Sequence, residues 1–495
     1  MPTRNYARDQ VWLMPPSLGD LVPTDHVARF VAGFVDALNF TELGLVTQPG
    51  RMGAPSYPAR ALITAWIYGF MTRTRSSRTL ETAIHERVPL MWLMAGLRPD
   101  HSTLARFFQD NHKVIAELYR KTVHVAIDTG LVDFALQAID GTKVSALSKD
   151  KTLSRPELEA LLKRVDETVQ HVVQTVQQEL APEAPAPSTP HLPAELQDAQ
   201  QLRARIQAAL AEITAREAER KSDVPAADPQ ASAPQGPKVH LADPEAVTMK
   251  GRHGFVTGYN AQAAVDSAEG VIVAAEAVAD PTDSASLVPM LDAIQGNTGR
   301  LAQTTTADSG YHSADNLEAL AQRPTTAYIA DPKLRGKRSP QRWAYHKDHF
   351  VYDRASDTYT CPAGQRLTYA FTQTKKHYGN RKVRVYACHD CQNCPHAAEC
   401  TPSAKGRRIR VTPQDALLQA HRERLGSEPA KQAIRRRGAV IECVFGILRE
   451  HLGLNRFLRR GLDNVRAEWK LLCAAFNLHK LYHHWRCAMA APALA

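Results

Sequence analysis

Apolar residues recur at helical spacing through residues 1–130 and predict a helical N-terminal region. The recurring positions include Leu62, Trp66, Phe70, Leu80, Ala83 and Ile84. Pro58 precedes one of these helices, and Ser102 or Thr103 is the expected N-cap of another. Arginines such as Arg73 and Arg75 lie between the apolar runs. The pattern fits a nucleic-acid-binding module or an ordinary helical packing domain.

A different pattern begins near residue 155, where apolar residues alternate at spacings of four and three. The first seam contains Leu158, Leu162, Val165, Val169, Val172 and Val176, and a second contains Leu202, Ile206, Ala209 and Ile213. This heptad spacing predicts two helices that pack along a seam. The five prolines of APEAPAPSTPHLP separate them, because proline cannot continue a helix. The hairpin is interpreted as a spacer, with a dimerisation arm as the alternative.

Short apolar runs alternate with helical ones around the hairpin and predict a mixed α/β sheet. The predicted strands cover residues 134–139, 259–265, 271–278, 303–307 and 325–329, with helices at 286–294 and 314–321. Asp140-Gly141 follows the first strand, and Asp308-Ser309-Gly310 follows the fourth. Residues 340–410 are predicted to be irregular, and the chain is helical again from about residue 413.

Positive charge is concentrated in one part of the chain. The whole sequence of 495 residues has a formal net charge of +10, and residues 331–410 alone contain 17 Lys/Arg and 6 Asp/Glu. A local basic surface favours a polyanion such as nucleic acid. There is no apolar signal sequence after Met1 and no apolar run long enough to span a membrane. A cytoplasmic, nucleoid-associated protein is therefore expected.

These patterns define the expected α/β organisation. Residues 1–130 are expected to form a helical N-terminal domain that fits DNA binding, residues 131–150 and 238–335 the first part of an α/β core, and residues 151–237 the inserted hairpin with its proline-rich linkers. Residues 336–412 are expected to form a basic cysteine-rich insert, and residues 413–495 the C-terminal helical part of the core, which contains Glu442.

Three carboxylates are candidates for a metal site. Asp140 and Asp308 are both expected at strand ends, where sites in α/β sheets gather. Glu442 lies in a predicted helix whose apolar face contains Val440, Ile441 and Val444. Carboxylate oxygens are the ligands that hard cations prefer, and two such ions activate and stabilise oxygens in phosphodiester chemistry. Singly, an aspartate before a glycine is more often a turn residue, and a glutamate in a helix is usually solvated.

Several segments, in order along the chain, resemble bacterial insertion-sequence transposases of the DDE type, which have a ribonuclease-H-like catalytic core. They are YPARALITAWIYGFMTRTRSSRTLE (57–81), LRPDHSTLARF (97–107), IDGTKV (139–144), GYNAQAAVD (258–266), ADSGYHS (307–313) and RRRGAVIECVFGILR (435–449). The resemblance implies that Asp140, Asp308 and Glu442 are the catalytic triad and bind two Mg²⁺ or Mn²⁺ ions.

The resemblance also implies partners and neighbouring residues. The DNA partners are the element's terminal inverted repeats and the target duplex, held by a dimer or larger assembly. Tyr259, Asn260 and Gln262 are expected to line the hairpin beside the triad, whereas Asp283 is assigned no role. Many relatives carry the pattern Y-x2-R-x3-E-x6-K around the glutamate. Here those places hold Arg435, Gly438 and Arg449, and Arg437 lies one residue away. Arg437 and Arg449 are the expected DNA contacts near the triad.

The cysteine cluster has metal-ligand spacing. Cys388, Cys391, Cys394 and Cys400 follow one another closely, and Cys361 lies upstream. Four thiolates predict a closed zinc site. Resemblance to transposases with such an insert implies Cys361, Cys391, Cys394 and Cys400 as ligands, with Cys388 as the spare or substitute and His389 and His396 as other substitutes. Free thiols are the alternative. The insert is expected to present to DNA the side chains of Lys375, Lys376, Arg381, Lys382 and Arg384.

Three rival functions remain compatible with parts of the sequence. A nuclease would use the same triad without joining strands. A catalytically retired transposase would bind DNA only, although the intact triad argues against it. A zinc-dependent RNA-binding protein would use aromatic residues of the basic insert for base stacking, and would leave the triad unexplained.

Overall fold

The computed structural model describes residues 17–45, 56–147, 152–179, 194–223, 236–251, 254–332, 334, 344–375, 381–388, 390–403 and 405–490. The proline-rich connection between the two hairpin helices, and most of the linker that follows them, lie outside these ranges. Among the described helices, none has the length and apolar character needed to span a membrane.

Helices and strands are numbered in chain order. The helices are α1 Val27–Asp36, α2 Ala59–Met71, α3 Ser77–Glu86, α4 Val88–Leu93, α5 His101–Asp110, α6 His112–Asp128, α7 Arg155–Glu179, α8 Ala194–Asp223, α9 Leu287–Thr298, α10 Ala314–Ala321, α11 Ala397–Cys400, α12 Asp415–Leu425, α13 Glu428–Glu450 and α14 Leu462–Ala490. The strands are β1 Leu136–Ser145, β2 Thr152–Leu153, β3 Val239–His240, β4 Val247–Gly251, β5 Gly254–Asp266, β6 Ile272–Val278, β7 Thr304–Ala307, β8 Thr326–Ile329, β9 Val351–Asp353, β10 Thr358–Thr360, β11 Arg366–Lys375, β12 Arg381–Cys388 and β13 Arg408–Val411.

The N-terminal helices surround α2, which is buried at every position from Leu62 to Met71. A helix that is apolar on all sides is stable only inside a core. The predicted cap of α5 was wrong, because the helix begins at His101 and Asp100 caps it. The Asp100 carboxylate accepts a hydrogen bond from the Thr103 backbone N–H at 2.8 Å. Aspartate is among the residues preferred at the N-cap, as serine and threonine are.

The central sheet is mixed, as predicted. Strands β1, β7 and β8 are neighbours and parallel, and β5 lies antiparallel to β1 on its other side. Strands β4 and β6 pair with successive halves of β5. The sequence predicted that the first strand ends at Ile139, but β1 continues through Asp140 to Ser145. It continues because residues 258–266 of β5 pair with it from Gln137 to Ser145.

Helix α14 joins the N-terminal helices to the sheet. It packs against α2, α6 and β6, so one continuous hydrophobic core extends from Val22 to Leu481. A buried ion pair strengthens the junction: Arg75 donates to Glu468 of α14 at 2.5 Å. Arg75 is one of the arginines whose positions fitted a nucleic-acid-binding module, but its side chain is only 4% exposed and binds Glu468 inside the fold.

Helices α7 and α8 pack on each other through the predicted seam. Leu158 and Val165 of α7 lie in one apolar cluster with Ile206, Ala209 and Ile213 of α8. Val239 of β3 belongs to the same cluster, so the described part of the seam is covered by the partner helix together with this strand.

The cysteine-rich insert is a regular structure and not the irregular segment that was predicted. Strands β9 to β13 form a five-stranded antiparallel sheet in the order β13-β12-β11-β10-β9. Its buried cluster is small and includes Phe350, Leu367, Tyr386 and Ile409. Polar and apolar residues alternate in residues 382–385 of β12 and 408–411 of β13, so the sequence held a strand signal there that was missed.

Candidate active site

Asp140 and Asp308 lie side by side on adjacent parallel strands. Ile139 of β1 pairs in register with Ala307 of β7, so the residues that follow them are also neighbours. Asp308 is fixed as the N-cap of a 3₁₀ turn, Ser309–Tyr311, in which its Oδ1 accepts a hydrogen bond from the Gly310 backbone N–H at 2.7 Å. The structure thus brings together two of the three carboxylates proposed from sequence.

Asp140 is held by an arginine from helix α13. Its Oδ2 accepts from Nη1 of Arg437 at 2.7 Å, and its Oδ1 accepts from the Gly141 backbone N–H at 2.8 Å. The side chains of Arg437 and Asp140 are 13% and 21% exposed. Burial raises the pKa of Asp140 to about 6, and the positive charge of Arg437 opposes this rise while the nearby Asp308 adds to it. Near neutral pH the site therefore favours an additional cation.

Glu442 lies one turn beyond Arg437 on α13, which packs against β1 and β7. Its side chain is exposed, and Oε1 lies 3.8 Å from the point that a Cβ on Gly438 would occupy. Farther along α13, Arg449 donates a hydrogen bond to Oγ1 of Thr142, two residues after Asp140. Both predicted arginine contacts of this helix are therefore beside β1.

Within the described residues, no three His, Cys, Asp or Glu side chains are grouped as a ready-made metal site. The donor chemistry nevertheless suits a hard divalent cation, because carboxylates converge on one end of the sheet. The buried amide oxygen Oδ1 of Asn260 points to the same place, 2.8 Å from the Cβ position of Gly141, and has no hydrogen-bond donor among the described residues.

Tyr259, Asn260 and Gln262, all on β5, do not share one face. Tyr259 donates to Oδ1 of Asp243 at 2.6 Å, and burial raises the pKa of its hydroxyl. Asn260 and Gln262 lie on the other face of β5, the face of Gly141, and donate to Oδ1 of Asp283 at 2.7 and 2.9 Å.

Asp283 is the site residue that sequence reasoning missed. It precedes a short 3₁₀ turn, Ser284–Ser286, and is half-buried. The signal in the sequence was weak, since Asp283 is one of two aspartates in the segment DPTD and neither lies at a predicted strand end. Only its tertiary contacts with Asn260 and Gln262 place it beside Gly141 and Gly310, which follow Asp140 and Asp308 in sequence.

The cysteines of the insert form a separate cluster. Cys361, Cys391, Cys394 and Cys400 line one small pocket together with His396. Cys388 is buried beside them but is not among the lining residues, and burial raises the pKa of its thiol to about 12. His389 lies outside the described residues.

The predicted DNA-contacting side chains of the insert lie on its long strand pair. Arg384 is exposed, forms an ion pair with Asp357 at 2.5 Å, and lies over the ring of Tyr369 at 5.2 Å. Lys382 is exposed on the same strand. Lys375 and Arg381 pair across β11 and β12, and their side chains, like all of Lys376, lie outside the described part.

Comparison with known protein families gives two matches. A model described as a transposase DDE domain matches residues 360–482, and a model described as a transposase domain (DUF772) matches residues 16–110. Glu442 falls within the first match, whereas Asp140 and Asp308 fall outside both. No curated protein matches the chain at a significant level. Domains of the DDE type generally use divalent metal ions. Two transposase domains on one chain indicate that this protein is an insertion-sequence transposase of the DDE type.

Proposed function

We propose that the protein binds the terminal inverted repeats of its insertion sequence, cleaves DNA at each end and transfers the strand to target DNA. The observation that carries this proposal is the register of β1 and β7, which sets Asp140 beside Asp308 under the helix that carries Glu442. A turn explains each aspartate alone, but not the position of the two on neighbouring strands beside the helix that carries Glu442.

The proposed catalytic core is ribonuclease-H-like. Its support is the strand order, in which β1, β7 and β8 run parallel and the long hairpin of β5 and β6 lies antiparallel on the other side of β1. Helix α13 brings Glu442 to the sheet from a distant part of the sequence. On this basis the hairpin α7–α8 and the five-stranded sheet are insertions into that core.

In this mechanism Asp140, Asp308 and Glu442 hold two divalent ions, Mg²⁺ or Mn²⁺. When bound, such ions activate the attacking oxygen and stabilise the leaving one. Asp140, whose pKa is about 6, is mostly ionised at neutral pH and would exchange its contact with Arg437 for the ions, and Glu442 would turn toward the aspartates. Arg437 is then free to contact a DNA phosphate, as is Arg449, because both extend from α13 beside the site. Guanidinium groups suit this role since they bind phosphate oxygens in pairs.

The insert is proposed to hold one structural zinc ion. Cys361, Cys391, Cys394 and Cys400 share a pocket, and four thiolates complete a tetrahedral site. Because the sheet around the pocket buries few apolar side chains, metal binding would supply folding free energy that its core does not. Lys382 and Arg384 would then be presented to DNA on a fixed strand pair.

A strand-transfer assay tests the proposal. Purified protein with Mg²⁺ or Mn²⁺ and DNA that carries the element's own ends should give joined products. Asp140→Asn, Asp308→Asn and Glu442→Gln should each bind the DNA and give no product. Asp292→Asn is the matched control, because this carboxylate is 64% exposed on α9 and pairs only with Arg323 in the described contacts. Nicks without joined strands would indicate a nuclease, and binding without cutting by the wild type would indicate a non-catalytic DNA-binding protein.

A further inference from the structure

Asp283 lies beside Gly141 and Gly310, the glycines that follow the two proposed catalytic aspartates, and is held in one orientation. Its Oδ1 accepts two hydrogen bonds, from Nδ2 of Asn260 and Nε2 of Gln262. The Gln262 amide cannot readily turn over, because its Oε1 accepts from the hydroxyl of Tyr311. The Trp469 indole N–H also fixes the Gln262 backbone carbonyl at 2.9 Å. One carboxylate oxygen of Asp283 is thus committed to the protein.

The other oxygen points toward Asp308. A Cβ on Gly310 would lie 3.0 Å from both Oδ2 of Asp283 and Oδ1 of Asp308. On the opposite side, a Cβ on Gly141 would lie 2.6 Å from Oδ1 of Asp283. The carboxylate therefore extends from the Asp140 strand to the Asp308 turn. Among the described residues, Oδ2 accepts no hydrogen bond.

The charges at this place are unbalanced. Asp140, Asp283 and Asp308 all lie near the buried Tyr311, whose pKa is raised by burial first and then by these three carboxylates. Arg437 is the cation bound to this group in the described structure, and it contacts Asp140 alone of the three. The unpaired amide oxygen of Asn260 lies at the same end of the sheet. A buried oxygen without a donor, next to excess negative charge, indicates a cation ligand.

We infer that Asp283 is a further metal-facing carboxylate of the active site and contributes Oδ2 and its charge to the divalent ion beside Asp308. This inference rests on the proposed metal-dependent function and adds a residue to it. The competing interpretation makes Asp283 a purely structural acceptor for the two amides. The interpretations differ in one respect, because a structural acceptor does not need its charge.

Asp283→Asn separates them, since an amide oxygen still accepts from Asn260 and Gln262 while the negative charge is lost. Free Mn²⁺ is measured by electron paramagnetic resonance in solutions of the full-length protein. We expect wild type and Asp292→Asn to bind Mn²⁺ alike, and Asp283→Asn to bind it roughly tenfold more weakly, because affinity at such sites follows the number of charged ligands. The thermal midpoint without metal should stay at the wild-type value.

Asp308→Asn distinguishes the failure of the inference from the failure of the proposed function. If Asp308→Asn loses Mn²⁺ binding and Asp283→Asn keeps the wild-type affinity, Asp283 is structural and the inference is wrong. If wild type and Asp308→Asn behave alike, or neither binds Mn²⁺, the proposed metal site itself is wrong and the inference falls with it. Should Asp283→Asn fail to fold, Asp283→Ser, which keeps an uncharged acceptor, is measured in its place with the same criteria.

Discussion

Removal of the Glu468 carboxylate should destabilise the whole protein, because this group joins the N-terminal helices to the C-terminal helix. The side chain is fully buried, and its Oε1 accepts from Arg75 at 2.5 Å. Oε2 accepts from the backbone N–H groups of Leu458 and Arg459 at 2.9 and 3.1 Å. Arg459 lies in the segment between α13 and α14, and its guanidinium is 3.4 Å from the ring centre of Phe108 in α5. The N-terminal helices and the C-terminal helix therefore depend on the same contacts.

The size of the effect follows from burial. Glu468→Ala leaves the guanidinium of Arg75 buried without its carboxylate, and breaking a buried pair in this way costs about 3–5 kcal/mol. The two backbone N–H groups also lose their acceptor, which adds to the loss. Since domains of this kind are stable by only about 5–15 kcal/mol, the variant should lie close to the unfolding threshold. Glu468→Gln keeps an acceptor oxygen and should lose less.

Urea unfolding followed by tryptophan fluorescence and circular dichroism measures this loss. Trp66 in α2 and Trp469 in α14 are both buried, so fluorescence reports on both sides of the junction. One cooperative transition at lower urea is expected. The control is Asp36→Ala, which removes an exposed ion pair with Arg60 and should cost less than about 1 kcal/mol. A loss below about 1 kcal/mol in Glu468→Ala, or separate unfolding of the N-terminal helices, would refute the single-core reasoning.

Three further outcomes are expected. Gly141→Ala should fold but lose metal-dependent cleavage, because its Cβ would lie 2.3 Å from Nε2 of Gln262 and 2.6 Å from Oδ1 of Asp283; retained cleavage would contradict this packing. The pKa of Asp140 is raised from 3.8 to about 6 in the folded protein, so the folded state keeps this proton to higher pH than the unfolded state does. The stability of metal-free wild type should therefore fall relative to Asp140→Asn as the pH rises from about 4 to 6. Mn²⁺ binding should strengthen over the same range, because the carboxylate loses its proton. Thermal midpoints and Mn²⁺ titrations at each pH measure both effects, and a flat difference would refute the assignment. Cys388→Ser should retain one zinc per chain by atomic absorption, whereas zinc should be lost in serine variants of Cys361, Cys391, Cys394 and Cys400.

The secondary structure of the core could be predicted from sequence wherever one periodicity dominates. Helix α10 has the predicted bounds, and β7 and β8 begin one residue from theirs. The heptad seams of α7 and α8 were also correct over the described residues. In each segment the buried side is apolar, so the spacing of apolar residues carries the information.

Other features depend on partners that are distant in sequence. Strand β1 continues past Asp140 because β5 pairs with it. The burial of Arg75 has the same origin, because the carboxylate that neutralises it is on α14. A local pattern cannot show such pairings, since it does not identify the partner.

The candidate active site likewise has features that the sequence predicts and features that depend on distant partners. Asp140, Asp308 and Glu442 were selected from sequence by context and resemblance, but the contact of Arg437 with Asp140 and the position of Asp283 required the fold. The register that aligns Ile139 with Ala307 joins strands more than 150 residues apart. Residue types could therefore be predicted, and their distances could not.

The glycines beside the aspartates illustrate why. In sequence, Asp140-Gly141 and Asp308-Ser309-Gly310 are most simply interpreted as turns. Gly141 lies inside a strand, however, and its missing side chain leaves room for Asp283, Asn260 and Gln262. Gly310 does lie in a turn, yet its Cβ would also crowd Asp283. Both glycines are thus needed by the same carboxylate, which comes from a third segment of the chain. The glycine that follows each of the two aspartates is required by tertiary packing, so the reason for it is seen only when the strands are paired.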